Sequence, residues 1–370
     1  MIGAGMVMLL LVPVIASLVV RAGFSRLVAA LSVLFLAILF QLQFGSGAQF
    51  RIFQVAKLVI SGLVESPAAV WLVLSCMLSI LVETSPEGRV GKSIAVLGNT
   101  LAAQRAHLAL WPSEHSRSTA LATIHPLGVT TIIVALTADL SLTRLASALL
   151  VPFLFLAIGY EWHLLGNTKE SPIERKDLSA VSVAALGVLG SLGLLFGGFA
   201  TPDQALAFIV LLAGVNFILK RDGQGKDDTF GQCLSAAGVA LVLVMLASCS
   251  WMMLGLGNSP DLFAVFESSP TLRSVSVWGL LLLAIGVSAT GGALLACVFV
   301  WPLIAIFNLR SGDSLHLACM FLLAVALGSS LARQSQSKRD GRWIFALTAT
   351  LLIVTYFPWT IRILPELLQD

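Results

Sequence analysis

The chain has 370 residues, of which 58% are hydrophobic and only 11% are charged. This composition and a mean hydropathy of +0.95 exclude a soluble globular domain and indicate an all-α polytopic membrane protein. A net charge of +3 is too small to favour a nucleic-acid partner.

Apolar runs bounded by charged or turn residues predict about ten full membrane spans in this sequence. They cover residues 4–20, 27–43, 67–83, 118–139, 143–163, 179–199, 203–219, 232–256, 314–332 and 343–361. The first run lacks the positively charged segment that begins a cleavable signal peptide, so we interpret it as a span. Two less apolar segments lie between the spans, and whether they lie on, in or across the membrane stays open. Residues 45–66 favour an interfacial helix, whereas residues 92–117 are too polar for a lipid-facing span and too apolar for a plain loop.

An uncharged run of thirty-six residues, 274–309, is too long for one span, which needs about 20 apolar residues. Its middle, residues 286–292, reads GVSATGG. We therefore predict two helical arms that meet at this small-residue turn and form a re-entrant hairpin. Non-helical backbone at membrane depth is tolerated only against protein or a water-filled cavity, and transporters often hold their substrate at such a break.

The distribution of Lys and Arg predicts the orientation of the chain. If the first span runs from outside to inside, sixteen of these residues fall on inner segments and six on outer segments. Cytoplasmic segments carry an excess of positive residues, so both termini are expected outside a bacterial inner membrane.

The predicted layout also has an internal symmetry. Residues 1–165 form a first membrane repeat, residues 166–178 a charged cytoplasmic linker, and residues 179–370 a second membrane repeat. Each repeat has an odd number of spans and one further element, as expected for two inverted-topology repeats. Residues 92–117 would then be a second re-entrant hairpin, the inward-facing partner of residues 274–309.

Two stretches carry a resemblance to a known family. Residues 124–165, which begin IHPLGVTT, are similar to the region after the first hairpin of the ion-transporter superfamily. Residues 286–305, GVSATGGALLACVFVWPLIA, are similar to the second hairpin of a family of uncharacterised prokaryotic membrane proteins within it. The superfamily includes the large membrane subunits of tripartite periplasmic (TRAP) transporters. The resemblance implies transport by alternating access, coupled to Na⁺ or H⁺, with room for a small membrane subunit, a periplasmic binding protein or a homodimer.

Substrate-binding candidates lie at the predicted breaks. Ser288, Thr290, Gly291 and Gly292 offer hydroxyl and amide groups where two helix ends would face one spot. Close packing of helices through small residues is the alternative role for these four. His125 precedes Pro126 at the start of a span, where it would relay protons or simply lie at the cytoplasmic interface.

Ser116 and Arg117 lie in a polar segment beside Pro112. At the tip of an inner hairpin Arg117 would hold a carboxylate, since its planar fork matches that group. In a cytoplasmic loop both residues would only be solvated.

The sequence has no GxGxxG, Walker A, HExxH or GxSxG motif, and its five cysteines show no CxxC spacing. No enzyme activity, metal site or cofactor is therefore predicted. The preferred function is that of a secondary transporter or permease subunit for a small anionic solute. Two alternatives stay open: a polytopic transferase or polymerase of envelope polysaccharide, and a membrane scaffold subunit that transports nothing.

Overall fold

The structure, a computed structural model, describes about two thirds of the chain, and every structural statement below concerns that part. The described residues are 2–44, 55, 57–61, 67–81, 117–137, 140–165, 193, 201, 204–205, 207–208, 210–211, 229–254, 270–309, 314–332 and 340–367. Among them the regular structure is entirely helical, and no strand occurs. This confirms the predicted all-α class.

The helices are numbered in chain order. The first six are α1 (Ile2–Arg21), α2 (Arg26–Phe44), α3 (Pro67–Leu81), α4 (Arg117–Thr123), α5 (Val129–Thr137) and α6 (Leu142–Leu165). The others are α7 (Thr229–Met253), α8 (Pro270–Gly291), α9 (Ala293–Phe299), α10 (Trp301–Leu309), α11 (Ser314–Leu331), α12 (Asp340–Tyr356) and α13 (Trp359–Leu367).

Several described helices are long and apolar enough to cross a membrane. Four qualify by length and hydropathy, and they lie within α6, α7, α8 and α11. A fifth is obtained if α12 and α13, which are bent by 70° relative to each other, count as one span. The predicted spans 179–199 and 203–219 fall largely outside the described residues, so the total of about ten stays a prediction.

The predicted span 118–139 is interrupted. It consists of α4 and α5, which are separated by residues 124–128, the α4–α5 break. Pro126 explains the interruption, because proline has no backbone N–H and disfavours a helical conformation of the residue before it.

The 274–309 segment differs from the predicted hairpin. Residues 286–290 do not form a turn but belong to α8, whose 22 residues span about 33 Å, enough to cross the apolar layer. The helix ends at Gly291, and Gly292, with φ +91°, separates it from α9. A straight continuation would place residue 301 about 15 Å from residue 291. Because α10 packs against α8, the chain instead folds back after residues 291–292, the α8–α9 break.

Helix α9 occupies the centre of the described bundle. It packs against α1, α5, α7, α8, α10 and α11, and all seven of its residues are buried. The short returning helix is therefore enclosed by protein on every side.

Helices α8 and α11 approach each other closely near their C-terminal ends. The Ser288 hydroxyl donates to the Val325 carbonyl oxygen at 2.7 Å and lies 2.8 Å from the Ser329 hydroxyl. A Cβ atom added to Gly328 would lie 2.9 Å from both the Ile285 Cα and the Ser288 Cβ. Small residues at the crossing let the two backbones come this close, as is common between membrane helices.

We predict that Gly328→Ala destabilises the protein, because the added methyl group must push α8 and α11 apart. Overpacking of this kind costs about 1–3 kcal/mol. The measurement is the thermal unfolding midpoint of the purified protein in detergent. Gly286→Ala is the control on α8: a Cβ there would meet no atom within 4 Å, so its midpoint should stay level or rise. Equal losses in both variants would contradict the close crossing.

Candidate functional site

The α8–α9 break lies against a buried arginine. Arg26 is the first residue of α2 and is only 2% exposed. Its Nε donates a hydrogen bond to the Gly291 carbonyl oxygen at 3.2 Å. A Cβ atom on Gly291 would lie 3.7 Å from the Ser17 Cα in α1, so the break lies level with the connection between α1 and α2.

Two features of the break require glycine at position 292. Its φ of +91° and ψ of 165° belong to a region of backbone conformation that residues with side chains rarely adopt. In addition, a Cβ atom there would lie 2.5 Å from a terminal nitrogen of Arg26. The guanidinium group therefore packs directly on the bare backbone of Gly292.

The electrostatics of this contact are favourable. The carbonyl end of α8 carries a partial negative charge, which a cation stabilises. A charged group in an apolar bundle is costly unless it is hydrogen-bonded, and here the Gly291 carbonyl is one partner of the guanidinium. Arg26 thus holds the α8–α9 break to the start of α2 and places positive charge beside the buried glycine backbone.

The two predicted hydroxyl groups of α8 have different roles. Ser288 is buried and committed to α11 through Val325 and Ser329, which matches the packing alternative. Thr290 is only partly buried, and its hydroxyl donates to the Gly286 carbonyl oxygen of its own helix at 2.9 Å. This bond lies within one helix and breaks when the Thr290 side chain rotates about χ1. The Thr290 hydroxyl can therefore donate to a ligand instead.

The α4–α5 break satisfies its own backbone groups. The Thr123 carbonyl accepts a hydrogen bond from the Thr130 hydroxyl at 2.8 Å, and the Leu127 carbonyl accepts one from Ser75 of α3 at 2.9 Å. Backbone groups that leave a helix in a water-poor interior need such partners. The break is therefore stabilised from within α5 and from α3.

His125 lies at the centre of that break. Its ring is buried, its Nδ1 accepts a hydrogen bond from the Leu127 N–H at 3.2 Å, and its carbonyl accepts one from the Thr131 hydroxyl at 2.8 Å. The ring meets Phe153 of α6 edge-on, with centroids 5.0 Å apart. Because Nδ1 is an acceptor, any proton that His125 exchanges must come and go at Nε2.

A tryptophan supports the bend between α9 and α10. Pro302 has no N–H, so it cannot donate to the carbonyl of Val298 four residues earlier. The Trp251 indole N–H of α7 donates to that carbonyl at 3.1 Å. Trp301 makes a matching link in the other direction, donating to the Val134 carbonyl of α5 at 3.1 Å.

The structure locates all but one of the predicted site residues. Gly291 and Gly292 adjoin Arg26, with Thr290 next to them in α8. His125 lies at the separate α4–α5 break, and the two breaks are linked through the packing of α5 on α9. Arg117 is the first residue of α4, and Ser116 lies outside the described residues.

Sequence reasoning missed Arg26, Trp251 and Trp301. In the sequence Arg26 is one of the sixteen positive residues on inner segments, and nothing local connects it with Gly291, 265 positions away. Pro302 was the one available signal, since a proline in an apolar helix predicts a carbonyl that needs a donor from elsewhere.

No protein-family model and no curated protein matches this chain.

We predict that the cost of Gly292→Ala depends on Arg26. The new methyl group suffers both the unfavourable backbone conformation, of order 1–3 kcal/mol, and the collision with the guanidinium. Arg26→Ala removes the hydrogen bond to Gly291 as well, but in its background the methyl group of Gly292→Ala no longer meets the guanidinium, so a double-mutant cycle of unfolding free energies should show coupling between positions 26 and 292. Gly23 is the control, because its φ is +92° but a Cβ there would meet no atom within 4 Å. Absence of coupling between Arg26 and Gly292, or coupling of the same size between Arg26 and Gly23, would contradict the assigned contact.

We also predict that Trp251→Phe destabilises the protein, because the Val298 carbonyl is left buried without its indole donor. Loss of one partner from a buried hydrogen bond costs about 1–3 kcal/mol. Adding Pro302→Ala restores a backbone N–H at the position that can donate to Val298, so the double variant should regain stability. Unfolding midpoints of the two single variants and the double variant test this. Additive losses of stability would show that the Trp251 indole does not replace the backbone hydrogen bond to Val298 that Pro302 cannot make.

Proposed function

We propose that this chain is a secondary transporter or permease subunit that moves a small anionic solute by alternating access. The observation that supports this most is the α8–α9 break, where a buried guanidinium group lies on bare glycine backbone inside a helical bundle. Charged side chains and interrupted helices are both costly in a membrane protein, and their combination marks a substrate path in many carriers.

The proposed substrate site consists of Arg26, Thr290, Gly291 and Gly292. A planar guanidinium recognises carboxylate and sulfonate groups through directed N–H bonds, which makes these the expected substrate classes. An incoming carboxylate would compete with the Gly291 carbonyl for the Arg26 N–H groups. Binding would then loosen the hold of α2 on the α8–α9 break, which couples substrate occupancy to movement of α9 and α10.

The proposed layout extends beyond the described spans. It has about ten spans in two inverted repeats, 1–165 and 179–370, in the bacterial inner membrane with both termini outside. Residues 92–117, with Ser116 and Arg117, form the inward-facing element of the first repeat. Na⁺ or H⁺ supplies the driving force, with His125 as the proton-relay candidate. A small membrane subunit, a periplasmic binding protein or a second copy of the chain completes the carrier.

A scaffold role is the second candidate. It is favoured by the α4–α5 break, where the hydroxyls of Thr130, Thr131 and Ser75 all serve backbone carbonyls of the protein. An interruption satisfied in this way is stable without any ligand.

The test is an uptake screen with carboxylates, amino acids and sulfonates in cells that produce this chain. Thr290→Val should reduce uptake of the substrate at least about tenfold, because a hydrogen bond to a charged ligand contributes about 1.5–3 kcal/mol. Thr348→Val is the matched control: its hydroxyl also donates to the carbonyl four residues earlier, at 2.8 Å, but in α12. Uptake should persist there.

Expression level and unfolding midpoint must match between the two threonine variants for the comparison to count. Equal uptake by Thr290→Val and Thr348→Val would show that the Thr290 hydroxyl does not bind the substrate. If no solute enters cells with the chain faster than cells with an empty vector, the transport proposal fails, and the scaffold role and the polysaccharide transferase or polymerase are left.

A further inference from the structure

The last described helix lies across the end of the helix before it. The chain bends by 70° between α12 and α13, around Pro358, and α13 packs against α6. Pro358 cannot donate to the Val354 carbonyl four residues earlier, and His316 Nε2 of α11 bonds that carbonyl at 2.8 Å instead. The bend is therefore fixed by a contact inside the bundle.

Helix α13 presents three different faces. Ile361 and Pro365, one turn apart, are buried. Trp359, Ile363 and Leu367 form an exposed apolar row on the opposite side. Arg362 and Glu366 form an exposed charged row between those two, because successive residues of a helix are turned by about 100°.

Neither a membrane span nor a water-covered helix fits these faces. Nine residues cover only about 14 Å, less than half of the apolar layer. A helix surrounded by water would not expose a row of Trp, Ile and Leu opposite its packed side. A row of apolar residues at right angles to a charged row suits a helix that lies along the boundary between lipid tails and water.

The residues around the bend point to the same boundary. Tyr356 and Trp359 are 70% and 58% exposed, and Phe357 between them is exposed as well. Exposed aromatic residues collect at the level of lipid headgroups, where a ring can be half in hydrocarbon and half in water. Leu352 and Ile353, exposed on α12 one turn earlier, continue the apolar surface that a spanning α12 presents to lipid.

We propose that α13 is an interfacial helix whose binding partner is the headgroup and upper acyl-chain layer of the bilayer. Its apolar row enters the lipid tails, and Arg362 and Glu366 lie among headgroups and water. Helix α13 thereby fixes how deeply α12 lies in the membrane. It does the same for α6, because α13 packs against α6. This inference concerns membrane attachment and does not depend on the transport proposal.

The test uses nitroxide labels on single cysteines in α13 of the full chain in liposomes. Arg362→Cys and Glu366→Cys report the charged row, and Ile363→Cys and Leu367→Cys report the apolar row. Leu282→Cys, exposed in the middle of the span-length α8, is the lipid-facing control. Cys233 is replaced by Ser throughout; the other four cysteines are buried, so the chain without a new cysteine gives the blank.

Collision with oxygen, which concentrates in lipid tails, is compared with collision with a water-soluble nickel chelate. The apolar row should resemble Leu282→Cys, with an oxygen-to-nickel ratio severalfold above that of the charged row. Three results would overturn the proposal: nickel dominating at all four sites, a ratio that changes steadily from 362 to 367, or protection of the apolar row from both reagents. In that order, these results would indicate a helix surrounded by water, a helix inserted across the lipid layer, and an apolar face covered by a second protein chain. All four positions are exposed, so the variants should fold, which matched unfolding midpoints verify.

Discussion

Two bends of the described fold depend on side-chain donors for backbone carbonyls that proline leaves without a helical partner. In an apolar bundle little water is available to replace a missing N–H, and at these bends a side chain from another helix replaces it. Pro302 leaves the Val298 carbonyl to Trp251, and Pro358 leaves the Val354 carbonyl to His316. In both cases the donor comes from a different helix, so each bend also ties two helices together.

Arg26 extends this arrangement to a helix end and adds charge to it. The Gly291 carbonyl terminates α8, and the guanidinium that binds it comes from the start of α2. The links from Arg26, Trp251 and Trp301 all converge on the segment from Gly291 to Trp301, which contains the buried helix α9. Under the transport proposal, exchange of these side-chain donors would reposition α9, as alternating access requires. The same links would make it rigid in a scaffold.

Composition and hydropathy were sufficient for the all-helical class and for most of the described helices. The bounds of α1, α2, α3, α6, α7 and α11 lie within a few residues of the predicted runs, and α6, α7 and α11 also have the length and hydropathy of a membrane span. Glycine and proline predicted the positions of the helix breaks less accurately than hydropathy predicted the helix bounds. The 286–292 run reads as a turn by composition, yet residues 286–291 continue α8, Ser288 packs against α11, and only Gly292 leaves the helix. The partners Arg26 and Trp251 could not be predicted, since each lies far along the chain from the carbonyl that it binds.

The indole N–H groups of Trp251 and Trp301 bind backbone carbonyls inside the bundle and hold α9 and α10 to their neighbours. Hydrogen exchange of the eight tryptophan side chains, labelled with ¹⁵N and observed by NMR in lipid nanodiscs, tests these bonds most directly. The signals of Trp251 and Trp301, assigned by single substitution to Phe, should persist in D₂O long after the tryptophan signals of the same chain unfolded in denaturant have vanished. Exchange of Trp251 and Trp301 in the folded protein as fast as in the unfolded chain would contradict the account.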